Sequence, residues 1–389
     1  VLYLTLSFCC GHWRLQRFFQ PTFRVAAMTY SPFRHLGSIV WKNRPIQFTF
    51  FLTRRCNAKC PFCFYISQKE QVLSSQNELS LAEIEKLAPQ LGKLLWLAFS
   101  GGEIFLRSDL VEITQLFYRI NRPAIILLPT NGLLQETIYH AVETILQECP
   151  KSSIVVKLSL DGPEPVHDTL RGVAGAYQKT LKTCEALGKL VERYDNFELG
   201  INTVFCQANQ DYIDEVIDLV QTLPQVKTHT VSLIRGEVFR DDLKQVDLDK
   251  YKKVIDRLES DLKKRLASMY RFRGAKLKAA QDILQRRLIH EAARQTKRSG
   301  PCYAGKLNLV LTETGDLYPC EDFSEHMKFG NVRQSEYNLQ HLLESDRGRK
   351  ILRFIHNKGC HCTHECYFMT NILFNPSRYP ALLKEYLQL

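Results

Sequence analysis

The sequence has no apolar run of the ~18–20 residues that a helix needs to span a bilayer. It shows no internal repeat at the periods of solenoid proteins, and the compositions typical of collagen, mucins and coiled coils are absent. These absences exclude fibrous and repeat architectures. Val1–Gly11 is apolar but has neither a positively charged start nor a clear small-residue cleavage site, so we do not expect a signal peptide.

We expect residues 1–27 to be an upstream extension or a poorly ordered arm, because Met28 opens a more ordinary stretch of sequence. Cys9 and Cys10 lie in that segment and carry no predicted function. The remaining composition is that of a globular protein, with 389 residues of which 45% are hydrophobic and 24% charged. This length favours two domains, or one large domain with an appendage.

The net charge of +11 fits anionic small molecules, nucleic acid or a membrane surface, and does not choose among them. Basic residues are densest between Lys250 and Arg298, where they alternate with acidic and aliphatic residues at helical spacing. That pattern is more typical of the solvated faces of amphipathic helices than of a nucleic-acid site. The sequence therefore gives no clear signal of a nucleic-acid or membrane partner.

Thirteen cysteines are the most informative feature, because most of them are clustered. A secreted disulfide scaffold would be shorter and would space its cysteines differently. Close clusters in a chain of this size favour metal or iron–sulfur ligation in a reducing compartment, which predicts a cytoplasmic protein. We expect the isolated Cys149, Cys184 and Cys206 to be small buried hydrophobic residues. The clusters are Cys56, Cys60 and Cys63; Cys302 and Cys320; and Cys360, Cys362 and Cys366.

Short apolar runs alternate with helical patterns from Ile46 onward, about six times. This alternation predicts an α/β fold with a parallel sheet, either closed into a barrel or left as an open doubly wound sheet. A helical segment without strands follows at Asp247–Thr296, and a hairpin around Glu313–Asp316 comes after it. The predicted strands are Gln47–Leu52, Leu95–Phe99, Ala124–Pro129, Ile154–Leu160, Glu198–Phe205 and Thr228–Ile234. The predicted helices between them are Leu81–Leu91, Arg107–Ile120, Leu133–Leu146, Ala176–Tyr194 and Asp211–Leu223.

The first cysteine cluster follows the first predicted strand, where barrels place their chemistry. Cubane iron–sulfur clusters normally take four thiolates, so Cys56, Cys60 and Cys63 would leave one iron open to an exogenous ligand. Three cysteines at short spacing could also bind zinc, although zinc sites more often pair them as C-x-x-C. Neighbouring Phe62 and Phe64 would limit solvent access to either kind of centre.

Cys56-x-x-x-Cys60-x-x-Cys63, with Phe62 before the third cysteine, resembles the signature of the radical S-adenosylmethionine (SAM) superfamily. The resemblance implies a [4Fe-4S] cluster whose fourth iron takes the amino and carboxylate groups of SAM. It also implies that one-electron reduction cleaves SAM to methionine and a 5′-deoxyadenosyl radical, which abstracts hydrogen from a substrate.

Further motifs carry the same resemblance in the same order. The turn from Ser100 to Glu103 is similar to the family's GGE motif, whose carboxylate meets the SAM ammonium. Arg171 would clamp the SAM carboxylate. Taken alone, the GGE stretch could be a simple strand-to-helix turn, Asn131 and Asp161 could only build turns, and Asn202 could be a satisfied core residue. The cofactor-binding residues implied are Phe62, Ser100, Gly101, Gly102, Glu103, Asn131, Ser159, Asp161, Arg171 and Asn202.

The resemblance spans residues 46 to 235 and implies a partial (β/α)6 TIM-like barrel. We expect an N-terminal extension over 1–45, the barrel over 46–235, a helical insert that caps the barrel mouth over 236–300, and a cysteine-rich domain over 301–389. Arg235 and Glu237, at the end of the sixth strand, are weak substrate-contact candidates.

The C-terminal cysteines resemble the auxiliary-cluster domains called SPASM, or their shortened form, Twitch. The full SPASM pattern has seven cysteines and two clusters, whereas five cysteines here imply one auxiliary [4Fe-4S] cluster and one spare thiol. We favour Cys302, Cys320, Cys362 and Cys366 as ligands, with Cys360 as the alternative. A structural zinc site is the competing interpretation. His361 and His364 lie in this group, and we expect both to be supporting or surface residues.

The family resemblance predicts an enzyme, an oxidoreductase or related, that needs SAM, an electron donor such as flavodoxin or ferredoxin, and an unidentified substrate. The substrate could be a ribosomal peptide or a small molecule such as a sugar. A non-catalytic iron–sulfur or zinc module, including a redox sensor, is the alternative. The GGE turn and Arg171 separate the two, because a sensor has no use for a SAM-binding site.

Overall fold

A computed structural model describes residues 29–66, 76–298 and 300–389. The side chain of Cys366 and the expected N-terminal arm, residues 1–27, lie outside this description. No helix in the described ranges has the length and apolar character required to cross a membrane.

Six parallel strands form the body of the described chain, in the spatial order β6-β5-β4-β3-β2-β1. This order steps through the sequence without reversal, which is the winding of a barrel, whereas a doubly wound sheet reverses its order at a switch point. The strand order thus confirms the predicted partial (β/α)6 barrel and excludes the alternative, an open doubly wound sheet. The strands are β1 (Gln47–Thr53), β2 (Trp96–Gly101), β3 (Ile125–Thr130), β4 (Ser153–Ser159), β5 (Phe197–Phe205) and β6 (Thr228–Leu233).

The first strand lies in the interior of the full nine-stranded sheet, between β2 and a later strand, and is buried on both faces. Its apolar run of Phe48, Phe50, Phe51 and Leu52 is completely buried, as expected for a parallel strand covered on both sides. On its other edge β1 pairs in parallel with β7 (Asn308–Leu311), which continues as an antiparallel meander through β8 (Asp316–Tyr318) and β9 (Gly330–Asn331). The predicted C-terminal hairpin therefore extends the barrel sheet itself.

Helices follow the strands on the outside of the barrel. Ser80 and Glu83 form a reciprocal capping box that begins α1 at Leu81, and every other predicted helix lies within three residues of its expected start. The barrel helices are α1 (Leu81–Leu91), α2 (Leu110–Asn121), α3 (Gln135–Glu148), α4 (Glu164–Arg171), α5 (Ala176–Arg193) and α6 (Ile213–Gln221). The sequence analysis missed α4, a single short helix that ends at Arg171.

The segment predicted as a cap forms two helices, α7 (Leu248–Lys263) and α8 (Ala275–Gln295). Their apolar faces pack against β5, β6 and α6. The segment before α7 covers the barrel beside the first cysteine loop, because Leu243 of that segment packs in one cluster with Phe62. The control of substrate access by this insert stays a prediction. The chain ends with α9 (Leu339–Glu344), α10 (Asp346–His356), α11 (Glu365–Leu373) and α12 (Tyr379–Gln388), and a 3₁₀ helix over Pro32–Ile39 precedes the barrel.

Candidate active site

The three cysteines of the first cluster lie in the loop that leaves the C-terminal end of β1, and each is half-buried. Backbone N–H groups point at two of the sulfurs, from Ala58 to Cys56 Sγ at 3.4 Å and from Ile66 to Cys63 Sγ at 3.3 Å. Burial raises the pKa of Cys56 to about 11 and that of Cys60 to about 12. Thiols in such surroundings stay protonated unless a metal binds them as thiolates.

The donor set suits a cluster better than a single ion. Within the ranges that the structure describes, no three His, Cys, Asp or Glu side chains converge closely enough to hold one metal ion. In a cubane each iron takes its own thiolate, so the three sulfurs need not share a common centre. The loop supplies three thiols and amide donors to sulfur, which together fit a three-cysteine iron–sulfur cluster.

A buried ion pair lies directly against this loop. Arg171, at the end of α4, pairs with Asp161 Oδ2 at 2.5 Å and directs a second guanidinium nitrogen at Cys60 Sγ, 3.5 Å away. The guanidinium also lies over the Phe62 ring, 5.3 Å from its centroid. The Arg171 Nε is buried and has no hydrogen-bond partner among the described residues. Arg171 thus holds the loop while one of its donors remains open to a ligand.

Asp161 in turn is anchored by the barrel. Its Oδ1 accepts from the backbone N–H of Val204 at 2.9 Å, and its carbonyl accepts from the Asn209 side chain at 2.7 Å. The buried His167 accepts a hydrogen bond at Nδ1 from the Asp161 backbone N–H at 3.1 Å. This nitrogen therefore donates no hydrogen bond to the Asp161 carboxylate. Asp161 and Arg171 therefore form one fixed support for Cys60. The sequence pattern marked both residues but did not show that they pair.

The GGE turn packs against the start of the same loop. The Gly102 N–H donates to the Thr53 carbonyl at 2.7 Å, and the Glu103 N–H donates to the Arg55 carbonyl at 2.9 Å. A Cβ on Gly101 would lie 2.4 Å from the Thr53 oxygen, and one on Gly102 would lie 2.1 Å from the Arg55 oxygen. Both positions exclude any side chain. Because both residues are glycine, the backbone of this turn lies directly against the segment that leads into Cys56.

Glu103 is buried at the end of this turn. Its carboxylate accepts from the Asn131 N–H at 2.8 Å and from the Thr130 hydroxyl at 2.9 Å. Burial raises the pKa of Glu103 to about 7, although these hydrogen bonds act to lower it. The carboxylate thereby joins the ends of β2 and β3, and its contact with a SAM ammonium stays a prediction.

Asn131 links the third strand to the cysteine loop. Its side-chain amide donates to Asn57 Oδ1 at 2.7 Å and lies 3.9 Å from Cys56 Sγ. Asn57 was not singled out from the sequence, and only its position beside Cys56 could have suggested it. Asn131 therefore does more than build the turn at the end of β3.

The remaining predicted cofactor residues lie farther along the barrel edge. Ser100 pairs with Phe51 across β1 and β2, and Ser159 pairs with Asn202 across β4 and β5. Asn202 Oδ1 accepts from the Ser232 hydroxyl at 3.1 Å. The same hydroxyl oxygen lies 2.7 Å from Glu365 Oε2 on α11, within hydrogen-bond distance of either acceptor. The C-terminal region therefore reaches into the barrel, which the sequence did not reveal.

Four C-terminal cysteines line one cavity of about 460 Å³. These are Cys302, Cys320, Cys360 and Cys362. Burial raises the pKa of Cys362 to about 12 and that of Cys320 well above its ordinary value, so these thiols stay protonated unless a metal binds them as thiolates. Cys360 lies at the same cavity as three of the favoured ligands, Cys302, Cys320 and Cys362. The choice between Cys360 and Cys366 stays a prediction.

Polar residues that follow β6 and polar residues of the C-terminal region line the same cavity. Arg235 forms an ion pair with Glu321, and its guanidinium lies 4.8 Å from the centroid of the Phe64 ring. The buried His364 lines the cavity too, with Nδ1 3.8 Å from Glu321 Oε2. Burial, and then Arg235, lower the pKa of His364 well below its ordinary value, so the imidazole is neutral. Glu237 lines this cavity as well.

An aromatic cluster separates the two cysteine sets. Phe64, next to Cys63, stacks on Phe323 with centroids 6.4 Å apart and planes 9° apart. Phe51 and Tyr65 contact the same Phe323 ring at 5.0 Å and 5.2 Å. The two candidate centres therefore lie on either side of the same packed aromatic rings.

Comparison with known proteins agrees with this geometry. Residues 50–220 match the radical SAM superfamily model, and residues 302–367 match the SPASM model, an iron–sulfur cluster-binding domain. The chain is 26% identical over 75% of its length to the antilisterial bacteriocin subtilosin biosynthesis protein AlbA of Bacillus subtilis, of which it spans 58%. It is 24% identical over 74% of its length to an AdoMet-dependent heme synthase of Oleidesulfovibrio alaskensis, of which it spans 71%.

Solved structures share the fold. Native anSMEcpe with bound AdoMet matches with a TM-score of 0.57 and 18% identity, over 88% of this chain and 96% of that one. Streptococcus suis SuiB bound to S-adenosylmethionine matches with a TM-score of 0.58 and 16% identity, over 80% of this chain and 68% of that one. The chain belongs to the radical SAM superfamily and carries, after its barrel, a SPASM-type iron–sulfur cluster-binding domain.

Proposed function

We propose that the chain is an oxidoreductase that cleaves SAM reductively at a [4Fe-4S] cluster held by Cys56, Cys60 and Cys63. The observation that carries this proposal is the loop of three half-buried thiols, fixed by the glycine turn on one side and by Arg171 on the other. The bound cluster would supply one electron to SAM, and the resulting 5′-deoxyadenosyl radical would take a hydrogen atom from the substrate.

The chain's own residues would position the loop and shield it. Gly101 and Gly102 bring β2 against the segment that leads into Cys56. The buried Phe62 side chain would shield the cysteine loop from solvent. The open Nε of Arg171 is suited to a carboxylate, which is the role predicted for this residue towards SAM. Ser100, Ser159 and Asn202 are proposed to complete the SAM site along the ends of the strands.

The second cysteine set is proposed to hold one auxiliary [4Fe-4S] cluster. Its cavity lies across Phe64 and Phe323 from the first loop, so its cluster would be close to the reaction. Such a centre could pass an electron during turnover, bind the substrate or stabilise the small domain. We propose a low-potential donor of the flavodoxin or ferredoxin type and a reducing, cytoplasmic location.

The proposed substrate is a peptide or a small molecule that reaches the barrel mouth beside Phe64 and Arg235. Relatives of both kinds match the chain, as the names of the subtilosin biosynthesis protein and the heme synthase show. A screen that measures the increase in 5′-deoxyadenosine release upon addition of each class would separate them.

Anaerobic iron analysis and SAM cleavage test the proposal. Two cubanes predict about eight irons per chain, and the triple variant Cys56→Ala, Cys60→Ala, Cys63→Ala should retain about four. Cys184→Ala removes a buried thiol outside both sets and should retain all eight. The reduced parent protein should release 5′-deoxyadenosine from SAM. Iron content unchanged in the triple variant, or a fully iron-loaded parent that releases none, would leave only the non-catalytic interpretation.

A further inference from the structure

A large apolar groove lies at the end of the barrel opposite the cysteine loops. It has a volume of about 1030 Å³. Its floor includes Trp96 and Ile125, the first residues of β2 and β3, whereas the cysteines follow the last residue of β1. Its walls come from the 3₁₀ helix, the start of α8, the end of α11 and α12. The proposed chemistry uses none of these residues.

Large apolar side chains are concentrated on the rim of this groove. Among the described residues, eleven large hydrophobic side chains are exposed, and four of them line this groove. Leu36 and Leu383, each 57% exposed, line the groove from the 3₁₀ helix and from α12. The other two are Phe33 and Tyr386. Val40, Trp41 and Leu387 are also exposed and lie close to these residues in sequence, outside the lining. A concentration of this kind marks an interaction surface, because single exposed apolar residues are normally scattered.

Cations are interleaved with these apolar side chains. The Arg273 guanidinium lies 5.6 Å from the centroid of Phe33, and the Lys276 ammonium lies 4.7 Å from that of Tyr386. In the described part of the chain neither cation forms an ion pair with a carboxylate, and the groove lining contains no Asp or Glu. A third lining cation, Lys278, is paired with Asp282. The surface is therefore both apolar and positively charged, with no internal neutralisation of these two cations.

We propose that this face docks on an anionic lipid membrane, with the rim side chains inserted at the headgroup level and Arg273 and Lys276 on the lipid phosphates. Aromatic and aliphatic side chains enter the interface by hydrophobic burial, while neighbouring Lys and Arg are attracted by the negative surface potential. In this orientation the cysteine loops face away from the bilayer, so docking leaves the barrel mouth accessible. The proposal goes beyond the proposed function and does not depend on it.

Co-sedimentation of the full iron-loaded chain with vesicles tests the docking. Vesicles that contain phosphatidylglycerol should bind the protein, and vesicles of phosphatidylcholine alone should bind it far more weakly. The double variant Arg273→Gln, Lys276→Gln should lower the partition coefficient about 30-fold, or about 2 kcal/mol, since each interfacial cation contributes ~1 kcal/mol. The control Lys182→Gln, Lys189→Gln removes two exposed cations from α5, which does not line the groove, and should bind like the parent.

A second pair of variants tests the apolar part. Leu36→Ser should weaken binding to the anionic vesicles, whereas Leu266→Ser, at a leucine that is 62% exposed elsewhere, should not. Residues 1–28 are present in every variant, so any binding by that segment is common to all of them. Iron content equal to the parent's shows that each variant is folded.

Three results would overturn the proposal. Equal binding by the groove variants and their controls would place the lipid contact elsewhere. Equal binding to both kinds of vesicle would remove the role of the cations. A parent protein that light scattering shows to be a dimer, and that Leu36→Ser converts to a monomer, would make a second copy the partner of this face.

Discussion

Replacing Gly102 with alanine is expected to destabilise the turn that carries the first cysteine loop. The new Cβ would lie 2.1 Å from the Arg55 carbonyl oxygen and 2.7 Å from the carbonyl carbon, so backbone atoms would have to move. Overpacking of this kind costs ~1–3 kcal/mol. The shift would also weaken two hydrogen bonds, from Gly102 to Thr53 and from Glu103 to Arg55, each worth ~0.5–1.5 kcal/mol. The free energy of unfolding should therefore fall by ~2–6 kcal/mol.

Urea unfolding of the metal-free protein measures this loss, and iron analysis after anaerobic reconstitution measures its effect on the loop. Gly92→Ala is the control for the added Cβ, because a Cβ at Gly92 would meet nothing within 4 Å, although Gly92, unlike Gly102, has a positive φ of 65°. Its cost should be ~1 kcal/mol, from the backbone conformation alone. We expect Gly102→Ala to lose iron from the first cluster while Gly92→Ala retains it. Equal stability of the two variants would refute the close approach on which the reasoning rests.

Three further predictions concern the ionisable and metal-binding groups. Because burial raises the pKa of Glu103 from 4.5 to about 7, the folded chain holds more protons than the unfolded chain between these values, so stability should fall as the pH rises from about 4.5 to about 7. Glu103→Gln should flatten this dependence in urea titrations. Asp161→Ala should lower stability by ~3–5 kcal/mol, because it leaves Arg171 buried without its partner. Cys366→Ser should retain about four irons, and Cys360→Ser about eight.

Each of these has a clear contradicting result. If the stability of Glu103→Gln still falls as the pH rises from about 4.5 to about 7, another group causes the dependence. Asp242→Ala removes the partner of Arg240 in an exposed pair and should leave stability close to the parent's, so an equal loss at Asp161 and Asp242 would contradict a special role of the buried pair. Iron values reversed between Cys360→Ser and Cys366→Ser would make Cys360 the ligand.

Much of the candidate site could be predicted from local pattern. The three cysteines, the glycine pair and Arg171 stand at fixed spacings after apolar runs, and parallel strands bring the loops that follow them to one edge of the sheet. The pairing of Arg171 with Asp161 could not be predicted. It depends on α4, a helix of eight residues that is too short to show a convincing periodicity. Asn57 was missed because its position beside Cys56 is its only signal, and Glu365 was missed because nothing in its local sequence distinguishes it from a surface residue.

The sequence alone determined the class of fold, the alternation of strands and helices, and the thiols available to each metal centre. These depend on hydrophobic periodicity and on ligand chemistry, both of which are local. Tertiary structure decided which thiols share a cavity, how the glycine turn and Arg171 hold Cys60 and its loop, and where exposed apolar side chains gather. Leu36 and Leu383 are 347 residues apart in the chain and meet at one groove. Such contacts follow from how the barrel closes and how its last helices pack, which no local pattern encodes.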